Sequence, residues 1–317
     1  MTWLSIALTS YFLSALAVIL DKFILGSKRI SSPPVYSFYI GLLGLGALIF
    51  APFGFSLPSG YQIVISLTSG ALFTFGILAL YFAIQKAEAS RVATVIGAVT
   101  PLAVYLFSIV FFQEKLNSVQ LIGAVLLIFG GLLISFDLPL QLGRKKFFSG
   151  FYYALLSGVV LAVAYLLFKV VYNEQAFFNG FIWTRFGSAV AIAGFFIIPK
   201  WRKDIIGSLR GFRRPTHTQY RTGALVIINK LIGGTSSILF NYALSLGSAT
   251  LINALVSSQY VFVLILATLA ATWHPKVFSE KLLFWDWAQK IGAIIIIAIG
   301  VALVSSLVSI ESLLLKP

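Results

Sequence analysis

The chain has no cysteine, one methionine, two histidines and only nine acidic residues among 317. Without cysteine there can be no disulfide, thiol nucleophile, cysteine-bound zinc or iron–sulfur cluster. The histidines, His217 and His274, have no partner at metal-ligand or triad spacing, and no phosphate-binding glycine loop, GxSxG or HExxH occurs. No catalytic residue, metal or cofactor is therefore expected. Charge is scarce as well: 10% of residues are Asp, Glu, Lys or Arg, against about a quarter in soluble domains.

What is abundant is apolar. Hydrophobic residues make up 59% of the chain and the mean hydropathy is +0.99, which predicts an integral, multi-pass membrane protein with the lipid bilayer as its first partner. A formal net charge of +14 would suggest nucleic acid if it formed a stripe on a soluble fold. Here the basic residues sit in short gaps between apolar runs, so no nucleic-acid partner is expected. The opening "MTWLSIALTSYF" has no basic n-region, which favours a retained helix over a cleaved signal peptide.

A hydrocarbon core about 30 Å thick needs about 20 apolar residues per helix. Spans are predicted near 3–21, 35–51, 61–85, 92–112, 118–136, 148–170, 179–199, 222–246, 249–273 and 288–310. The stretch Leu231 to Trp273 has no charged residue and is too long for one crossing. An internal repeat divides it. "ALTSYFLSALAVILDKFI" at Ala7 matches "ALLSGVVLAVAYLLFKVV" at Ala154, a shift of 147. With a shift of 160, "YFAIQKAEAS" at Tyr81 falls on "NYALSLGSAT" at Asn241, so "SLGSAT" reads as a loop. "FQEKL" at Phe112 returns as "FSEKL" at Phe278, and "QLIGAVLLIFGG" at Gln120 as "QKIGAIIIIAIG" at Gln289.

The expected fold is an all-α polytopic membrane protein of ten transmembrane helices arranged as two inverted five-helix repeats. Residues 1–137 form the first repeat, 138–146 a basic linker, 147–310 the second repeat and 311–317 a short tail. Five spans is an odd number, so the second copy enters the membrane from the opposite face. Such pseudo-two-fold pairs build alternating-access carriers with a substrate site near the midplane. Duplication also builds inert scaffolds, and that reading stays open at this point.

These motifs resemble a known family. The small-residue turn "AEASRVATVIGAVTPL", the E-K-L loops and the glycine-bearing helices after them are similar to the EamA-type repeat of the drug/metabolite transporter (DMT) superfamily. The resemblance spans both halves. It implies secondary transport, typically metabolite efflux, with a central cavity lined by helices one to four and six to nine and with five and ten more peripheral.

Lys and Arg placement predicts orientation. Lys22, Lys28, Arg29, Lys86, Arg91, Arg144–Lys146, the cluster from Lys200 to Arg221, Lys276, Lys281 and Lys290 fall on one side, against Lys115 and Lys316 on the other. The basic loops are thus expected in the cytoplasm and both termini outside the cell (inner or plasma) membrane, whereas the resemblance implies termini inside. The segment "KWRKDIIGSLRGFRRPTHTQYR" reads either as a loop carrying this signal or as an amphipathic, headgroup-contacting element. The six Trp lie near span ends, as interfacial residues do. The Glu-Lys pairs read as interface markers ahead of a coupling-ion role.

Charges inside spans are costly and commonly functional. Lys230 is the sharpest anomaly: it lies deep in the eighth span, and its repeat counterpart is Gly70. Lys230, Gly234, Ser237 and Asn241 share a helix face, as do Asn253, Ser257 and Tyr260 in the ninth span and Gly158, Ala162, Tyr165 and Lys169 in the sixth. Lys169 and Arg185 are candidates balanced against snorkelling to the interface. Ser10, Ser14 and Asp21 share a face of the first span, with backbone bonding as the competing role. The substrate-binding candidates are Lys230, Ser237, Asn241, Asn253, Ser257, Tyr260, Tyr165, Lys169, Arg185 and Ser14.

All nine acids lie at span ends or in loops. A proton-coupled exporter of lipophilic cations wants a buried carboxylate, so that function is disfavoured. An interior with lysine and arginine but no acid favours a small anionic or zwitterionic solute, an organic anion or an amino acid. The rivals are a flippase for an anionic lipid carrier and a non-transporting scaffold or accessory subunit. Gly123, Gly130, Gly131, Gly292 and Gly300 suggest close helix contacts in the fifth and tenth spans, within the chain first and in a homodimer second.

Overall fold

The computed structural model describes residues 2–25, 32–86, 89–113, 116–135, 150–211, 217–273 and 284–314. All the regular elements among them are helical: α1 Thr2–Leu25, α2 Pro33–Gly44, α3 Gly60–Lys86, α4 Ala89–Phe112, α5 Ser118–Ser135, α6 Phe151–Glu174, α7 Phe177–Gly194, α8 Pro199–Gly211, α9 His217–Leu246, α10 Ala249–Ala254, α11 Val256–Trp273 and α12 Phe284–Leu314. Short 3-10 stretches extend α2 through Leu45–Phe53 and α7 through Phe195–Ile197. Among the described residues seven segments are long and apolar enough to cross a membrane, and Ser118–Leu133 and Ala288–Val304 are shorter apolar helices. The protein is a multi-pass integral membrane protein. Both Glu-Lys loops, the 138–146 linker and the side chains of Asp21 and Lys22 lie outside the described residues.

Helix ends follow local chemistry. Asn117 and Gln120 form a reciprocal capping box at the start of α5, with Gln120 N–H donating to Asn117 Oδ1 at 2.8 Å and Asn117 N–H to Gln120 Oε1 at 3.2 Å. Proline opens α2, where its missing N–H costs nothing. The long uncharged run breaks where the repeat predicts: α9 ends at Leu246, and Ser248 caps α10 by accepting from Leu251 N–H at 3.2 Å.

The chain forms two compact units, one of Met1–Ser27, Ala93–Phe147 and Leu225–Pro317, the other of Lys28–Val92 and Phe148–Ala224. Each takes helices from both halves of the sequence. In the first unit α1 runs along α11, with Phe12 edge-on to Phe262 at 5.5 Å and Ile19 packed against Ala267. Helices α5 and α12 pair antiparallel. A Cβ on Gly123 would stand 3.1 Å from the Gly300 carbonyl oxygen, and one on Gly130 3.3 Å from that of Ala293. Gly123, Gly130 and Gly300 therefore meet the facing helix within the chain. Gly131 instead packs against Ser257 of α11, and Gly292 has no atom within 4 Å of where its Cβ would stand, so it makes no close helix contact among the described residues.

In the second unit α3 lies between α6 and α7. The Ser157 hydroxyl donates to the Gly76 carbonyl of α3 at 2.8 Å. On the other flank a Cβ on Gly70 would overlap the Thr184 carbonyl oxygen, and one on Gly187 that of Leu67. Two backbones this close exclude any larger residue at those positions, and Ser188 closes the seam by donating to the Gly70 carbonyl at 3.1 Å.

Candidate substrate-binding residues

Seven of the ten sequence candidates belong to the first unit: Ser14, Lys230, Ser237, Asn241, Asn253, Ser257 and Tyr260. Tyr165, Lys169 and Arg185 belong to the second. Ser14 is half-buried on α1, one turn after Ser10.

Helix α9 shows two distinct faces. Ile228, Leu231, Tyr242 and Leu246 are exposed apolar residues at helical spacing, a stripe suited to hydrocarbon. At about 100° per residue, Lys230 and Ser237 lie a quarter-turn or more from that stripe, while Asn241 and Gly234 lie about 80° and about 60° from its Leu231 edge. Along this second face Lys230 and Ser237 are half-buried, Asn241 is buried and Gly234 is exposed. No atom lies within 4 Å of where a Gly234 Cβ would stand. Lys230 and Ser237 are thus turned away from the apolar stripe, and Gly234, one turn from Lys230, stands at its border beside open space. Asn241 keeps its amide at home, donating to the Ser237 carbonyl at 2.7 Å.

The ninth predicted span is interrupted. Between α10 and α11 the helix is broken at Leu255, and one turn earlier the Ile252 carbonyl accepts from the Tyr11 hydroxyl at 2.7 Å. A backbone group freed inside a membrane must find such a partner. Asn253 and Ser257 flank the break and bond backwards to Ala249 and Ala254 carbonyls, each at 2.8 Å. Tyr260 donates to the Ala93 carbonyl of α4 at 3.3 Å, with its hydroxyl set into the notch left by Gly97. Gly97 stands four residues before Pro101, whose missing N–H leaves the Gly97 carbonyl without its helical donor. Two further hydroxyls, Thr100 and Ser258, are buried without a hydrogen-bond partner. Sequence reasoning passed over Tyr11, Thr100 and Ser258. Only the proline beside Thr100 and the serine pair at 257–258 hint at them.

In the second unit Arg185 is 6% exposed, so it does not snorkel. Its guanidinium lies over Phe181 at 4.5 Å, Phe73 at 5.6 Å and Phe168 at 6.0 Å. Tyr165 extends the cage, 6.3 Å from both Phe73 and Phe168. The stem passes Gly44, where a Cβ would stand 3.4 Å from Arg185 Cδ. Ring faces are negative, so the cage attracts the buried cation. Lys169 is half-buried on α6. The cage draws its rings from α3, α6 and α7, and no local pattern announces it.

Residues 1–136 match the model of the EamA-like transporter family. Over these residues the chain is similar to an EamA-type repeat. The resemblance drawn from the motifs is borne out over that stretch, and the EamA-like family is one of membrane transporters of the DMT superfamily. No curated protein matches the chain. A solved structure described as "Crystal structure of protein" is similar at 16% identity, with a TM-score of 0.67, over 96% of this chain and 97% of that one. At that identity the likeness speaks for the fold alone.

Proposed function

We propose that the protein is a secondary transporter, an exporter or exchanger, of a small anionic or zwitterionic metabolite, an amino acid or organic acid. It works by alternating access between two inverted five-helix repeats that make up ten spans. The observation that carries the substrate class is the polar face of α9: Lys230 is half-buried on the side away from the apolar stripe, with open space at Gly234. A lysine there is suited to attract a carboxylate or phosphate, and the nine acids read from the sequence as lying at span ends or in loops.

Support for the repeats is geometric. The shift of 147 pairs Ser10 with Ser157, and the shift of 160 pairs Gly76 with Ser236. Ser10 donates to the Ser236 carbonyl, and Ser157 to the Gly76 carbonyl, each at 2.8 Å. The same contact at paired positions is what a duplicated unit produces.

The test is thermal stabilisation of the purified full chain by a panel of amino acids, organic acids, phosphorylated sugars, neutral sugars and quaternary ammonium compounds. Wild type should be stabilised by anions or amino acids, Lys230→Ala should lose the shift, and Lys230→Arg should keep it. Stabilisation by cations alone, or a Lys230→Ala variant that responds like wild type, would overturn the substrate class. Counterflow of the stabilising compound in proteoliposomes then separates a transporter from a binding scaffold.

A further inference from the structure

The basic segment after α7 contains a docked helix. Helix α8 starts at Pro199, directly after Ile198, and presents Trp201, Ile205 and Ser208 inward at i, i+4 and i+7. Ile205 is fully buried in a cluster with Val35 and Phe38 of α2, Leu78 of α3, and Ile192 and Phe195 at the end of α7. Trp201 meets Phe195 edge-on at 5.3 Å and Phe82 at 6.3 Å. Ser208 Oγ and Tyr39 Oη lie 3.1 Å apart. The helix is thus pinned across the ends of α2, α3 and α7.

Its outer face is basic. Lys200, Arg202, Lys203 and Arg210 are all exposed, with Asp204 the one acid of the helix. None of the four cations forms an ion pair with a described residue. Beside them Ile197 is 83% exposed, Ile198 39% and Leu209 43%. Charge alone would serve as an orientation signal in any loop conformation. A rigid helix at the span ends that sets four cations beside exposed apolar side chains has the composition of a surface that meets headgroups and the outer acyl region together.

We propose that α8 is a binding site for anionic phospholipid headgroups of the surrounding bilayer. Arg202 and Arg210 have the planar fork that engages a phosphate through two N–H donors, and Lys200 and Lys203 supply point charge. Ile197, Ile198 and Leu209 anchor the same edge in the acyl boundary. The docking contacts of Trp201, Ile205 and Ser208 hold the cations in place before the lipid arrives, so little ordering cost remains.

The experiment is native mass spectrometry of the full chain in mild detergent, titrated with phosphatidylglycerol or phosphatidylcholine, without transport substrate. The wild type should retain phosphatidylglycerol selectively. K200Q/R202Q/K203Q/R210Q should lose at least about tenfold in that affinity, since each cation near an anionic surface is worth about fivefold. The same variant should melt with the wild type in zwitterionic detergent and show unchanged orientation of a terminal reporter. Lys200→Arg with Lys203→Arg should bind as wild type does. If the fourfold variant does not fold, Lys203→Gln and Arg210→Gln, each outside the docking face, should each weaken retention about fivefold. Equal retention of phosphatidylglycerol by wild type and charge variants would overturn the proposal. So would displacement of the lipid by inorganic phosphate at equal concentration, which would make the site one for a soluble anion. Neither outcome bears on the substrate site, because no substrate is present.

Discussion

The hydroxyl of Ser10 donates to the carbonyl of Ser236 at 2.8 Å, and the hydroxyl of Ser236 returns a bond to the carbonyl of Ser10 at 2.9 Å. Small residues let α1 and α9 approach, and the two hydroxyls clasp them. The counterpart in the second unit is one-sided: Ser157 bonds to Gly76, which has no hydroxyl to return. Interhelical hydrogen bonds in membranes contribute about 0.6 kcal/mol on average and at most about 2. Ser157→Ala should therefore lower stability by about that average. Ser10→Ala and Ser236→Ala should each cost about the same, and the double variant less than their sum, because they share one clasp. Reversible unfolding in mixed micelles reads all four.

Gly70 is the least replaceable residue of the α3–α7 seam. A methyl group there would overlap the Thr184 carbonyl oxygen, which is backbone and cannot rotate aside. Gly70→Ala should destabilise by about 3 kcal/mol or more, at or beyond the usual range for overpacking, or prevent folding. Gly46→Ala, at a position with no atom within 4 Å of the new Cβ, should be neutral or slightly stabilising. A melting curve of the two side by side distinguishes local packing from a general intolerance of glycine replacement. The register pairs Gly70 with Lys230, and a lysine cannot occupy a seam of this closeness, so α9 cannot make such a contact at that position.

Tyr11 acts where the ninth span is broken. Its hydroxyl supplies the Ile252 carbonyl, one turn ahead of Leu255, with a donor from α1. Tyr11→Phe keeps the ring and its edge contact with Phe240 at 6.1 Å but withdraws that donor. An orphaned buried acceptor costs about 1–3 kcal/mol, and hydrogen exchange should rise first around residues 250–258. Uniform loss of protection across α1 and α11 would instead mean that the ring contacts, not the hydroxyl, hold the break.

Much of this organisation was readable from the residues, for identifiable reasons. The division of the uncharged run at Gly247–Ser248 was legible because its counterpart "QKAEAS" carries charges that mark a loop. The meeting of Gly123 and Gly130 with α12 was legible because glycine repeats in membrane helices have few other uses. Helix α8 was harder: its inward positions, Trp201, Ile205 and Ser208, are too few to outweigh seven neighbouring Lys and Arg in a hydropathy reading. The break at Leu255 has no proline or glycine to signal it. The cage of Arg185 joins residues more than 100 positions apart, and the alternative of snorkelling could be decided only by burial.

Arg185 gives a prediction of its own. The planar guanidinium lies over three rings, and a lysine ammonium reproduces the charge without the stacking. Arg185→Lys should lower stability by about 1–2 kcal/mol, the scale of desolvated cation–π contacts, while Arg185→Met should cost more, since the cage then loses its charge entirely. Melting temperatures of the two variants check the order. Equal stability of the wild type and Arg185→Met would show that the rings hold α3, α6 and α7 together without the cation.

The polar face of α9 can be probed without touching its charge. Gly234 borders open space, so Gly234→Leu removes no contact and replaces a poor helix former by a good one, worth about 0.8 kcal/mol in favour of folding. If that space admits the solute drawn by Lys230, the leucine fills it, and the variant should melt no lower than wild type yet lose most of its ligand-induced stabilisation. Lys230→Ala should lose the same stabilisation for a different reason, and combining the two should add nothing further. Lipid beside Gly234 predicts otherwise: Gly234→Leu would then respond to ligand as the wild type does, and the substrate site would have to be sought away from α9. Because the leucine leaves Lys230 in place, a lost response in this variant traces to occupied volume and not to missing charge.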